Sequence, residues 1–84
     1  MEEKVLVKVY IPATETAFDV FIPLMSKMSD VLELLKKAVT EMSRGLFTAN
    51  ETTAICWRGT GDILDINLTV FALGIHNGSK LMMV

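Results

Sequence analysis

The hydrophobic period of this chain lengthens from two residues to 3.6 after two short runs, and that switch limits what it can fold into. Val5, Val7, Val9 and Ile11 alternate with Leu6, Lys8 and Tyr10, the two-residue period of a half-buried strand. Pro12 has no N–H to give a ladder and closes the run. Residues 13–16, Ala-Thr-Glu-Thr, supply a polar turn. From Thr16 to Ile22, Phe18, Val20 and Ile22 point one way, and Ala17, Asp19 and Phe21 the other. Pro23 ends this second run and suits an edge strand. Two neighbouring strands and a short loop predict a hairpin. The period then lengthens. Val31, Leu35, Ala38 and Met42 fall on one helical face with Leu32 and Val39 beside them. Glu33, Lys36, Lys37, Thr40 and Glu41 fall on the other, so one amphipathic helix of about four turns is expected. Ser29 is its expected N-cap and Asp30 complements the helix dipole. Arg44 lies near its end, and Gly45 is the expected left-handed residue after it.

The remainder supplies the other half of a sheet. Residues 46–53 are loop, and Ala54 to Arg58 form a strand with Ile55 and Trp57 on one side and Cys56 on the other. Ile63-Leu64 is a very short strand. Residues 69–74 are one helical turn with Thr69 as cap and Gly74 as stop. Asn77-Gly78 is a turn dipeptide, and Lys80 to Val84 form the last strand. A helix between the second and third strands makes the sheet mixed. The expected architecture is α+β, a mixed sheet of four to five strands packed on one α-helix. Val5, Val7, Val9, Phe18, Val20, Ile22, Ile55, Trp57, Leu81 and Met83 are expected to meet the helix. Leu6, Lys8, Phe21, Cys56, Met82 and Val84 are expected on the opposite, open face.

Composition bounds the function. The 84 residues suit one domain, 1–84. A net charge of −2 gives no basic excess for nucleic acid or for an anionic membrane surface. The N-terminal Met1-Glu2-Glu3-Lys4 carries acids where a signal peptide carries bases. The apolar runs are strand-length, so no transmembrane helix and a cytoplasmic location are expected. One cysteine, Cys56, excludes an intramolecular disulfide. Cys56 and His76 are the single thiol and the single imidazole. A nucleophile–base pair also needs an orienting group and an oxyanion hole, and nothing beside either residue offers them. A zinc site would be two ligands short. Gly59 and Gly61 read as turn glycines, because no Lys-Ser/Thr follows to complete a phosphate loop. The expectation is no catalysis, no metal and no cofactor. Met25, Met28 and Met42 are expected to fill gaps around the helix.

The segment Leu68 to Val84, LTVFALGIHNGSKLMMV, resembles the end of ubiquitin-like proteins: a threonine-capped turn, a buried Ile, a polar turn and a final strand. Leu73-Gly74-Ile75 with Gly78 and Leu81 matches their spacing, and the likeness spans nearly the whole chain. It implies the ubiquitin-like β-grasp fold. Ubiquitin and the related sulfur carriers end in a mobile Gly-Gly tail, whereas this sequence stops at Val84 in its last strand. A carrier or modifier role is therefore disfavoured, and a non-conjugating module is expected. The chain is most similar to the YukD family, also called EsaB, of small type VII secretion accessory proteins. That similarity rests on the length, the Val7-Lys8-Val9 run, Pro23, and the Gly74-Ile75…Gly78…Leu81 ending. It implies protein partners in secretion and carries over no catalytic residue. On the open face, Leu6, Phe21, Cys56, Met82 and Val84 are the candidate partner-binding residues. The competing readings are scattered surface apolarity and a homodimer contact.

Overall fold

The computed structural model describes residues 3–84. Strand β1 runs Lys4–Ile11, a 3-10 turn follows at Pro12–Thr14, and β2 runs Thr16–Pro23. Helix α1 is Met28–Met42, β3 is Ile55–Trp57 and β4 is Lys80–Met83. The strand order is β2-β1-β4-β3. The central pair, β1 and β4, is parallel, and both outer pairs are antiparallel. The sheet is therefore mixed, and β3 and β4 are neighbours. A single bridge, Cys56 to Ile63, is what forms of the fifth strand.

The hydrogen-bond register explains Pro23. The Leu24 N–H donates to the Glu3 carbonyl at 2.9 Å. Bonded pairs alternate along an antiparallel ladder, so the backbone of every second residue from Pro23 back to Ala17 faces away from β1. β2 is an edge strand. The missing N–H of Pro23 thus falls where no ladder partner waits.

Helix α1 starts earlier than its sequence suggests. Lys27, not Ser29, is the capping residue, and its side chain makes no capping bond. The exposed N–H groups of the first turn find carbonyls from a distant loop instead. Met28 N–H donates to Leu68 O at 2.8 Å and Ser29 N–H to Ile66 O at 2.9 Å. These bonds do what a Ser29 hydroxyl would have done. Asp30 lies in the first turn, as the dipole favours. At the other end, Gly45 is left-handed as expected, with φ 80°, and Arg44 before it is left-handed too, with φ 56°. Arg44 N–H reaches Glu41 O and Gly45 N–H reaches Thr40 O, both at 3.0 Å. That pair of bonds is a Schellman closure, with glycine one place further on.

The core takes Val5, Val7, Val9, Ile11 and Ile22 from the hairpin, Ile55, Leu81 and Met83 from the other strands, and the inner face of α1. Phe18, Val20 and Trp57 pack against it, half-buried. Of the three methionines expected around the helix, only Met28 is buried. Met25 and Met42 are 63% and 45% exposed. Near Met42, Phe47 packs on the core, its N–H held by the Ser43 hydroxyl at 3.1 Å.

The turn before β4 is built as expected. Thr69 Oγ1 accepts the Ala72 N–H at 3.0 Å, and Gly74 closes the turn at φ 78°. Val70 and Ile75 anchor it in the core. The next turn is docked onto β1: Asn77 Oδ1 accepts the Leu6 N–H, and Gly78 N–H donates to Leu6 O, both at 2.8 Å. This sets the register in which β4 lies beside β1.

Candidate protein-docking face

The outward face of the sheet falls into cross-strand rows, because residues in register on adjacent strands share a face. One row holds Leu6 and Phe21. The next holds Asp19, Lys8, Lys80 and Arg58, running from β2 to the end of β3. The third holds Ala17, Tyr10, Met82, Cys56 and Ile63. Beyond it, Val84 and Ala54 exchange backbone bonds at 2.7 and 3.0 Å. The candidate residues thus form two apolar groups rather than one patch. Leu6 and Phe21 lie on one side of the charged row, and Met82 and Val84 on the other. Phe21 is 64% and Val84 53% exposed, while Met82 is half-buried.

Cys56 corrects the expectation. It lies on this face by register, yet it is only 2% exposed. It is flanked by the larger Met82 and Ile63, and its Sγ meets the Met82 carbonyl at 3.4 Å. It backs the surface without presenting a thiol. Burial holds that thiol above its ordinary pKa. The stability linkage follows in sign. Below the unfolded thiol's range, roughly pH 8.5, both states carry the proton and Cys56 takes nothing from stability. As pH climbs from there through the raised folded value, only the unfolded state ionises, so stability falls. Timed reaction with a thiol reagent at pH 7.5 checks the burial. Native protein should stay unlabelled over minutes while urea-unfolded protein labels at once.

Ile63 is the residue that sequence reasoning left out of this face. It is 72% exposed, while its neighbour Leu64 is buried. Alternation about a buried Leu64 was the signal that would have placed it. Tyr10 is a second addition, half-buried and covered by the Arg58 guanidinium at 4.2 Å from the ring centroid, a cation–π contact.

Cys56 and His76 are not brought together as a hydrogen-bonded pair. His76 Nδ1 lies 2.9 Å from the Asn77 carbonyl, next to it in the chain. Among the described residues no three His, Cys, Asp or Glu side chains gather to hold a metal ion. No helix among them is long and apolar enough to cross a membrane. A depression of about 520 Å³ lies between Lys36, Lys37 and Glu41 of α1 and Asn50 and Glu51 of the following loop, away from the open face.

A four-stranded mixed sheet, with a hairpin leading into one helix and a parallel central pair, is the ubiquitin-like β-grasp fold, and solved structures agree. The EccD5 ubiquitin-like domain from Mycobacterium xenopi superposes with a TM-score of 0.81 at 18% identity, covering 98% of this chain and 93% of that one. The ubiquitin-like domain of the Mycobacterium tuberculosis type VII secretion system protein ECCD1 gives 0.77 at 19% identity, with 98% of each chain covered. A chain of the MycP5-free ESX-5 inner membrane complex gives 0.82 at 20% identity, covering 96% of this chain but 20% of that one. No protein-family model and no curated protein sequence matches the chain.

Proposed function

We propose that this chain is a ubiquitin-like protein–protein interaction module serving as a cytoplasmic accessory component of a type VII secretion system. The observation that carries the reading is the near end-to-end superposition on EccD ubiquitin-like domains, at TM-scores of 0.81 and 0.77. The chain matching within the ESX-5 inner membrane complex supports protein partners. The fold by itself hosts many roles. The open face supports binding over catalysis, because its chemistry is apolar side chains and cations around a buried, unactivated thiol.

Deleting the gene in its native host tests the process. Export of the small WxG-type proteins should fall several-fold and return when the wild-type chain is supplied. Unchanged export would exclude the secretion role. The carrier alternative makes a separate demand, an adenylate or thiocarboxylate on the C-terminal residue, which intact mass of the native protein would reveal.

A further inference from the structure

We infer that the open sheet face docks an acidic protein segment whose carboxylates are flanked by apolar side chains. This rests on the reading of the chain as an interaction module and names the chemistry of its partner. Lys8 and Lys80 are register partners on β1 and β4, and the Arg58 N–H donates to the Lys80 carbonyl at 3.1 Å. Three cations therefore stand side by side across three adjacent strands, at steps of about 4.8 Å. Like charges directly opposite one another destabilise a sheet. Asp19 lies beside Lys8 alone, at the far end of the row. Among the described residues the one ion pair is Lys36 with Glu33, on the helix, so no carboxylate closes on this row.

The distribution of charge over the molecule strengthens the case. With Lys4, which also faces outward, the strands of this face carry four of the eight basic side chains and one of the ten acids. That leaves the face at +3 and the rest of the chain at −5. The net charge favours an acidic segment at this face over the rest of the chain taken together. The apolar groups decide between a protein and a membrane. Leu6 with Phe21, and Met82 with Ile63, lie on either side of the cations, about 13 Å apart along the strands, and the Arg58 guanidinium lies over the Tyr10 ring beside Met82. A segment patterned apolar–acidic–apolar fills both groups while its carboxylates reach Lys8, Lys80 and Arg58. An anionic bilayer would need a basic excess to hold it, and the chain's net charge of −2 supplies none.

Panning a random dodecapeptide library on the immobilised full chain tests this, with the Lys80→Glu variant and vesicles of 30% phosphatidylserine as comparisons. Enriched peptides should combine Asp or Glu with apolar flanks and bind the variant at least tenfold more weakly, with affinity falling as salt rises. The variant should melt at the same temperature as wild type or higher, because a carboxylate at position 80 stands between Lys8 and Arg58 and replaces repulsion with attraction. Peptides without acidic bias, equal binding by the variant, or binding to the vesicles alone would each overturn the inference. Lost peptide binding together with a lowered melting temperature would do so too, by giving Lys80 a structural role. A secretion phenotype with no acidic bias would remove this inference and leave the module reading standing; the converse would remove only the secretion process.

Discussion

Replacing Leu81 with alanine should lower stability by about 3 kcal/mol, within the usual range for a buried leucine. Leu81 is fully buried. It sits in the parallel register with Val9 on one side and in the antiparallel register with Trp57 on the other. The lost side chain leaves a cavity where the two central strands meet the helix layer, and little there can collapse to fill it. A chain of this length holds roughly 4–12 kcal/mol in total, so the change takes a large share. Urea denaturation followed by circular dichroism checks it. The midpoint should fall while the slope stays constant, and the melting temperature should drop by roughly 10–20 °C. Leu81→Met conserves volume and should cost less than about 1.5 kcal/mol. A near-neutral alanine variant would mean that β4 is not the central strand.

The second large effect concerns binding. Met82→Asp should leave the fold in place and weaken partner binding at least tenfold, about 1.4 kcal/mol or more. Met82 is half-buried between Tyr10 and Cys56, so a carboxylate there costs about 1–2 kcal/mol of stability and can still turn to solvent. For a partner the change is larger. It removes the apolar centre of the Tyr10–Met82–Ile63 group and puts an acid beside the cation row. Met82→Leu keeps the apolar surface and should bind as wild type. Circular dichroism and melting of all three proteins separate lost binding from lost fold.

Much of this fold is legible in the residues because burial dictates period. The Val5–Ile11 alternation, the Pro12 and Pro23 stops and the helical stripe through Val31, Leu35 and Val39 each follow from one local rule. What was not legible depends on partners far along the chain. Ser29 has the composition of a cap, but carbonyls at Leu68 and Ile66 took its work. Met42 has the right helical phase, but it lies at the end of α1 and remains exposed. Cys56 shows the limit at the candidate site. Alternation says which face a side chain points to, and it does not say whether larger neighbours close over it. The Lys8–Lys80–Arg58 row was least visible of all. Each lysine alone reads as a solvated surface charge. Only the parallel pairing of β1 with β4, set by Asn77 and Gly78 docking on Leu6, together with the antiparallel pairing of β4 with β3, brings the three together.

The most direct measurement is complementation of the gene-deletion host by Met82→Asp, beside Leu34→Asp as a control on the exposed side of α1. Both proteins should accumulate to wild-type levels. Leu34→Asp should restore export of the WxG-type proteins, and Met82→Asp should leave it at the deletion level. Full export with Met82→Asp, or lost export with Leu34→Asp alone, would contradict the assignment of the open sheet face as the working surface.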